Sequence, residues 1–172
     1  HVTVLQRTAQ FTFPAGNRPL SDDDLSEVRQ NWDEIIEKMR AHGGGFPADP
    51  NPDRSALDDS DEEREALYES LWEQGSFQIF LKLYSDIAVN EASNKTLSDF
   101  VRKKISEIVD DPETARKLSP DHFVMTKRPI LDDGYFATYN RDNVELIDLR
   151  DDAIERFTAN SVITQSGEHP ID

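Results

Sequence analysis

The sequence predicts an α/β parent fold in which this chain is mainly α-helical, a helical insertion flanked by short strands of an incomplete α/β domain. Three observations lead to this prediction. The chain starts with an apolar run rich in β-branched residues, continues with a long block of helical periodicity, and changes to short strand-like runs beyond Pro120. A lone strand before a helical block and further strands after it indicate an insertion into a sheet that is only partly present.

The first predicted strand is VTVLQ, residues 2–6, and its composition is typical of a buried parallel strand. Arg7 follows it, and the extended segment FTFPAGNRPL comes soon after. Ligands of α/β folds collect at the carboxyl ends of parallel strands, where a basic side chain can select the 2′-phosphate of NADP over a ribose hydroxyl. For Arg7 alone, a solvated arginine at a strand end is the better interpretation.

Five helical segments are predicted in the middle of the chain. Ser21 and Ser60 each stand three residues before an acidic residue, the spacing of a capping box, so we expect helices to begin there. The first helix is expected to run unbroken to Gly43, and residues 43–59 to be a weakly ordered loop. The other segments are FQIFLKLYSDI, a long helix that follows Asn90 and stops at Asp110, and PETARKL. The predicted inward residues are Leu25, Val28, Trp32, Ile35, Ile36, Met39, Leu67, Tyr68, Leu71, Trp72, Phe77, Phe80, Leu81, Tyr84, Ile87, Leu97, Phe100, Val101, Ile105, Ile108 and Val109.

Three short strands, VELIDL, IERFT and SVIT, are predicted after the helices. We therefore divide the chain into a strand and loop at 1–20, an inserted helical domain at 21–120 and a return segment with strands at 121–172. The chain begins at His1 without an initiator methionine and passes directly into a strand. We expect it to be an excised or proteolysed piece of a larger protein.

The charge balance excludes several classes of partner. With 35 acidic against 19 basic residues the formal net charge is -16, so the surface field repels phosphate backbones and anionic lipid headgroups. Nucleic acid and membranes are not expected as partners, and no apolar run approaches the roughly 20 residues that span a bilayer. The absence of cysteine fits a reducing compartment, and a cytoplasmic location is the prediction.

The sequence contains no G-x-G-x-x-G, P-loop or G-x-S-x-G motif, so it predicts no complete nucleotide cradle and no hydrolase nucleophile. Its four histidines stand apart in loop-like settings without the spacing of metal ligands, and no metal site is predicted. The acidic run DDSDEE at 58–63 coincides with a helix start, where negative charge suits the helix dipole. Lys127 and Arg128 are adjacent cations in an acidic chain, and such a pair needs an anion or carboxylates nearby, although an exposed Lys-Arg dipeptide is common.

Four segments carry a resemblance to a known family. They are VTVLQRTAQFTFPAGNRPL, DPETARKLSP, TKRPILDDGYFATYNRDNVELIDL and IERFTANSVITQSGE. In this order and spacing they resemble the middle of a Baeyer–Villiger monooxygenase of the cyclohexanone, phenylacetone and steroid monooxygenase type. The likeness spans essentially the whole chain, and it implies that the flanking strands belong to an NADP-binding, Rossmann-like domain.

The resemblance also implies roles for four residues. Arg7, Thr8 and Lys127 match the family residues that bind the 2′-phosphate of NADP, and Arg128 matches the active-site arginine that stabilises the oxygenated flavin and then the nicotinamide. The implied cofactors are FAD and NADPH, and the implied reaction uses O2 and a ketone to form an ester or lactone. The family's glycine fingerprints for both cofactors belong upstream of His1, so the isolated chain is expected to be inactive.

Two alternatives stay open at this point. A related flavin monooxygenase with the same two dinucleotide-binding folds would oxidise amines or sulfides, and the downstream motif, A-T-G-F against A-T-G-Y, distinguishes it. A non-catalytic acidic helical interaction domain, with Lys127 and Arg128 as a surface patch, belongs to another class. It predicts no affinity for 2′-phosphorylated adenosine nucleotides.

Overall fold

The structure is a computed structural model that describes residues 1–48 and 53–171. These two ranges form helices and short strands, seven of each. The helices are α1 (Asp22–Gln30), α2 (Trp32–Ala41), α3 (Asp61–Gln74), α4 (Gln78–Lys82), α5 (Glu91–Ile108), α6 (Pro112–Leu118) and α7 (Tyr135–Thr138). The strands are β1 (Val2–Gln6), β2 (Thr12–Pro14), β3 (Ile130–Asp132), β4 (Val144–Asp148), β5 (Ile154–Phe157), β6 (Ser161–Thr164) and β7 (Glu168–Pro170).

The described chain divides into two compact units. One unit contains His1–Phe11, Val101–Phe123 and Gly134–Asp172, and the other contains Thr12–Phe100 and Val124–Asp133. The division of the parent fold into domains at residues 20 and 120 stays a prediction.

The first unit contains a parallel ladder and an antiparallel sheet. β1 pairs with β4 in parallel from Val2↔Val144 to Gln6↔Asp148, and β5, β6 and β7 form a three-stranded antiparallel sheet. The four predicted strands are confirmed, whereas the short β7 was not predicted. β1 is less buried than expected, since Gln6 is its one fully buried residue.

Phe13 lies at the centre of the core of the second unit. Its buried ring meets the Phe80 ring edge-on with 5.0 Å between centroids, and the Trp72 ring at 6.0 Å. β2, which carries Phe13, pairs in parallel with β3 starting at Thr12↔Ile130. Strands of three residues are too short for an alternating pattern to be recognised, so the sequence did not predict this ladder.

The later helices agree well with the predicted periodicity. α5 and α6 occupy the predicted segments, and the capping boxes at Ser21 and Ser60 are confirmed. Of the predicted loop, residues 43–48 and 53–59 contain no helix or strand. Residues 49–52 of that loop lie outside the described residues. The predicted inward residues that are buried are Tyr68, Leu71, Phe80, Tyr84, Ile87, Leu97, Phe100, Val101, Ile105 and Val109.

The expectation of one unbroken first helix was wrong. The helix breaks at Asn31, which ends α1 and begins α2 with φ -101° and ψ 16°. Neither helix has a buried residue, and the predicted inward residue Trp32 is 55% exposed. Because Ile35 and Ile36 are only half-buried and the other apolar residues of the stripe are exposed, packing does not enforce a single helix axis across Asn31.

The aromatic segment FQIFLKLYSDI is helical only over α4, and its predicted inward residue Phe77 is 41% exposed. The backbone becomes extended at Leu83, with ψ 166°. Beyond it, the Tyr84 hydroxyl donates to Asp59 Oδ2 at 2.6 Å. A contact distant in sequence therefore overrides the local helical periodicity.

Replacing Gly75 with alanine is expected to destabilise the protein by about 2–4 kcal/mol. Gly75 follows α3 with φ 62° and ψ -157°, a backbone region that is essentially restricted to glycine. An added Cβ would also lie 2.7 Å from the Gly16 nitrogen and 3.0 Å from the Pro14 carbonyl oxygen. Denaturant titration followed by circular dichroism measures the free energy of unfolding.

Gly43→Ala is the matched control for this substitution, because a Cβ at Gly43 meets no atom within 4 Å. We expect its free energy of unfolding to stay within about 0.5 kcal/mol of the parent value. Equal effects of Gly43→Ala and Gly75→Ala would contradict the close approach at Gly75.

Asp86 ties the start of α5 to the loop before α3. Its carboxylate accepts hydrogen bonds from Ser55 Oγ at 2.6 Å, Ala56 N at 3.0 Å and Ser93 Oγ at 2.5 Å. Burial acts to raise the pKa of Asp86, but the hydrogen bonds outweigh it and hold the pKa below its usual 3.8.

Because the folded-state pKa of Asp86 is depressed, its ionised form stabilises the fold above the unfolded-state pKa. That contribution is lost as the pH falls through the folded-state pKa. We expect the difference in unfolding free energy between the protein and Asp86→Asn to be constant from about pH 7 to 5 and to narrow below about pH 4. Denaturant titrations across this pH range measure the difference in unfolding free energy. A difference that stays unchanged down to about pH 3 would contradict the stabilising role of the ionised Asp86 carboxylate.

Candidate functional site

Arg7 and Thr8 directly follow β1, at the carboxyl end of the parallel ladder with β4. The preceding residue, Gln6, is held firmly at this end. Its Nε2 donates to the Lys117 carbonyl at 2.8 Å, and its own carbonyl accepts from Leu149 N at 2.8 Å. Arg7 is exposed and Thr8 is half-buried, so a cation and a hydroxyl extend from a fixed strand end.

Asp148, which pairs with Gln6 across the ladder, is a buried carboxylate close to this strand end. Arg150 binds it, with Nε 3.1 Å from Oδ1 and Nη2 2.8 Å from Oδ2. These hydrogen bonds lower the pKa of Asp148 despite its burial. In the part of the chain that the structure describes, Arg7 itself has no ion pair. Its charge is therefore available to an anion from outside.

Lys127 and Arg128 lie between Val124 and β3, and both are exposed. Neither forms an ion pair within residues 1–48 and 53–171. Adjacent cations can be balanced either by carboxylates of the chain or by an external anion. The described residues do not supply carboxylates to Lys127 or Arg128.

The segment that carries these two cations is anchored at both ends. At its start the side chain of Asn94, from α5, binds the backbone of Val124, and at its end β3 pairs with β2. Met125, immediately after the first anchor, has φ 69°, in the left-handed region that residues other than glycine seldom adopt. The cations thus stand on a short span with a defined backbone.

The four predicted site residues fall into two pairs. Arg7 and Thr8 belong to the first compact unit, whereas Lys127 and Arg128 belong to the second. Each pair is adjacent in the structure because its members are adjacent in sequence. That Arg7, Thr8 and Lys127 meet at one phosphate stays a prediction.

The aromatic residues around α7 fit a packing role, which was the sequence-based interpretation. Phe136 is buried, and the Tyr139 hydroxyl donates to the Tyr135 hydroxyl at 2.8 Å. Burial, together with Tyr135, raises the pKa of Tyr139 far above its usual range. Tyr139 therefore stays neutral at physiological pH.

Neither metal ligation nor membrane insertion finds support in the described ranges. No group of three or more histidine, aspartate or glutamate side chains there could hold a metal ion. From the acidic run at 58–63, Asp61, Glu62 and Glu63 instead form the first turn of α3. Among the described helices, none combines the length and apolar character that crossing a bilayer requires.

Comparison with known proteins relates this chain to monooxygenases, although no family model matches it. It is 43% identical over 176 residues to a phenazine N-monooxygenase of Lysobacter antibioticus and 38% identical over 176 residues to a Baeyer-Villiger monooxygenase of Pseudooceanicola batsensis. Both alignments cover 100% of the chain and 32% of the relative. A cyclohexanone 1,2-monooxygenase of Acinetobacter sp is 37% identical over 169 residues, 98% of the chain and 31% of the relative.

Solved structures share the fold. A steroid monooxygenase bound to NADP superposes with a TM-score of 0.91 at 40% identity, over 99% of the chain and 32% of that structure. An open cyclohexanone monooxygenase superposes with a TM-score of 0.93 at 37% identity, over 100% of the chain and 34% of that structure.

The chain spans about a third of the length of the curated relatives it matches. Over its whole length it is homologous to one part of the Baeyer–Villiger monooxygenases. The resemblance carried by the sequence motifs is thereby confirmed.

Proposed function

We propose that this chain is part of an FAD- and NADPH-dependent Baeyer–Villiger monooxygenase, which inserts one oxygen atom from O2 next to a ketone carbonyl to give an ester or lactone. The observation that carries the proposal is the match of the whole chain to steroid and cyclohexanone monooxygenases, at TM-scores of 0.91 and 0.93. In this proposal β1 and β4 belong to an NADP-binding, Rossmann-like domain, and the helices form its insertion. Catalysis belongs to the full-length enzyme, and a cytoplasmic location stays a prediction.

The chemistry of the donor set supports binding of NADP through its 2′-phosphate. Arg7, Thr8 and Lys127 offer a guanidinium, a hydroxyl and an ammonium group, all of them hydrogen-bond donors. A phosphate monoester is a strong acceptor with close to two negative charges, and cationic donors bind it with short, charge-assisted hydrogen bonds. Since Arg7 and Lys127 have no ion pair among the described residues, their binding to a phosphate would not require breaking one.

Arg128 is proposed to act at the reacting centre. When bound, FAD would be the group that reacts with O2, and NADPH would supply the electrons. A guanidinium is a much weaker acid than an imidazolium or an ammonium group. Arg128 can therefore stabilise a neighbouring anion without donating its proton to that anion, whereas a protonated histidine, a stronger acid, would donate its own.

Oxidation of nitrogen is the second candidate function. It is favoured by one observation, the 43% identity to a phenazine N-monooxygenase. The same four side chains would serve either reaction, because NADP binding and stabilisation of an anion near the flavin precede the choice of substrate. No observation favours a non-catalytic interaction domain.

The test is oxygenation by the full-length, flavin-loaded enzyme with NADPH. Cyclohexanone, a steroid ketone and phenazine are offered separately, and the products are identified by mass spectrometry. A lactone or ester from a ketone supports the proposal. An N-oxide without any ester establishes the alternative, and the absence of oxygenated product from all three substrates would overturn both.

A further inference from the structure

The side chain of Asn94 on α5 forms an unusually complete set of hydrogen bonds. Its Nδ2 donates to the carbonyls of Ile87 at 2.7 Å and Val124 at 2.9 Å. Its Oδ1 accepts from Val124 N at 3.0 Å and from Ser98 Oγ at 3.0 Å. Asn94 is 5% exposed, so a buried carboxamide has both of its donors and both of its acceptor sites occupied.

Two of these four bonds go to the same residue. Asn94 binds the N–H and the C=O of Val124 together, as a neighbouring strand would, and Ser98 Oγ adds a weaker contact to Val124 N at 3.4 Å. Val124 is itself buried, at 1% exposure. A residue whose N–H and C=O are both hydrogen-bonded has the peptide units on either side of it fixed in position and in orientation.

The bound residue lies three positions before Lys127, in the same compact unit. The β2–β3 ladder fixes the chain again from Ile130. Only residues 125–129 lie between the two anchors, and one of them, Pro129, has a restricted φ. The direction in which the chain leaves Val124 therefore determines where Lys127 and Arg128 stand.

The anchor consists only of neutral groups. An aspartate at position 94 would have no donor for the two carbonyls, and it would place a carboxylate near the cations. Leucine, of similar size, would leave the buried C=O of Val124 without the Asn94 donor and its N–H with only the longer contact to Ser98 Oγ, which is unfavourable for buried polar groups. Asparagine forms hydrogen bonds with both backbone groups of Val124. Because it is neutral, it does not compete with a ligand for the two cations.

We propose that Asn94 is a positioning residue for Lys127 and Arg128, which fixes these cations for the phosphate-bearing cofactor without contacting it. The inference rests on the proposed function, because it concerns how the chain prepares the assigned NADP contact. It assigns a specific role in cofactor discrimination to a residue in the interior of the helical block.

The test measures binding of NADP⁺ and NAD⁺ to the full-length, flavin-loaded enzyme by titration calorimetry. Asn94→Ala is expected to weaken NADP⁺ about tenfold and to leave NAD⁺ within about twofold. Asn140→Ala is the matched control, since its Nδ2 binds the Ile108 carbonyl at 2.7 Å and its Oδ1 accepts from Asp110 N at 3.0 Å. This second side-chain clamp belongs to the other compact unit, and its loss should lower stability without changing the preference for NADP⁺.

A double-mutant cycle shows whether Asn94 acts through Lys127. In a Lys127→Ala background, the additional Asn94→Ala substitution should weaken binding of NADP⁺ relative to NAD⁺ by less than about twofold. Hydrogen exchange adds a readout independent of the cofactor, since the Val124 amide, which donates to Asn94 Oδ1, should lose protection in Asn94→Ala and keep it in Asn140→Ala. If Asn94→Ala does not fold, Ser98→Ala replaces it and should produce a smaller loss of the same selectivity.

The outcomes separate the inference from the function on which it rests. If Lys127→Ala itself leaves the preference for NADP⁺ unchanged, the proposed phosphate contact is wrong. If Lys127→Ala removes the preference while Asn94→Ala, or its Ser98→Ala replacement, weakens both nucleotides equally, the contact stands and the positioning role is overturned. If the losses of NADP⁺ selectivity caused by the two single substitutions add up in the double variant, the positioning role is also overturned.

Discussion

Replacing Arg128 with alanine in the full-length enzyme is expected to lower ketone oxygenation by about 10²–10³-fold, while NADPH still reduces the flavin. The expectation follows from a permanent cation without an ion pair among the described residues, assigned to stabilise an anion at the reacting centre. Reduction of the flavin by NADPH precedes the reaction with O2, so it does not depend on stabilising that anion and should continue. Stopped-flow absorbance follows flavin reduction, and gas chromatography quantifies the ester.

Two further variants separate a loss of this charge from general damage. Arg128→Lys keeps the positive charge but loses the planar guanidinium, so we expect it to retain only part of the oxygenation activity. Arg29→Ala removes another exposed arginine, on α1, and should leave oxygenation unchanged. If Arg128→Ala formed the ester at the parent rate, the assigned role of Arg128 would be wrong.

Lys127→Ala is expected to reduce kcat/KM for NADPH by about 10- to 150-fold and to leave kcat/KM for NADH nearly unchanged. This range corresponds to about 1.5–3 kcal/mol for one charge-assisted contact to phosphate. NADH lacks the 2′-phosphate, so it lacks the interaction that the substitution removes. Steady-state rates with each nucleotide, at a fixed ionic strength because the contact is screened by salt, provide the measurement.

Lys82→Ala is the control for a general change in surface charge. Lys82 is an exposed lysine at the end of α4 whose Nζ contacts Gln74 Oε1 at 3.4 Å. Its removal changes the net charge by the same amount and should affect the two nucleotides equally. Equal weakening of NADPH and NADH by Lys127→Ala would refute a specific 2′-phosphate contact.

Features that depend on neighbouring residues were predictable from the sequence. The capping boxes at Ser21 and Ser60 need only four residues to close, so their spacing identifies both helix starts. The inward residues of α5 repeat over about three turns, from Leu97 to Ile108, and such a stripe is a reliable signal. The break at Asn31 was not predictable from periodicity, because the apolar stripe continues on both sides of it.

Features that depend on distant residues were not predictable. The exit of Tyr84 from the helix is set by Asp59, and the pairing of Thr12 with Ile130 joins short strands from opposite ends of the chain. At the candidate site, the motif resemblance identified Lys127 and Arg128 but not the residue that supports their segment. A weak signal for that support existed in Asn94, a polar residue on the apolar stripe of α5, but the sequence does not show that its partner is the backbone of Val124.

The two parallel ladders also determine the order in which the chain can fold. β1 must meet β4 and β2 must meet β3 across the intervening helical block, so each pairing closes a loop of more than a hundred residues. Closing such loops costs chain entropy before any ladder contact forms, whereas helices form from local contacts. We therefore expect the helices to form before the ladders close. Arg7 and Lys127 are then expected to reach their final positions only when β1 has paired with β4 and β2 with β3.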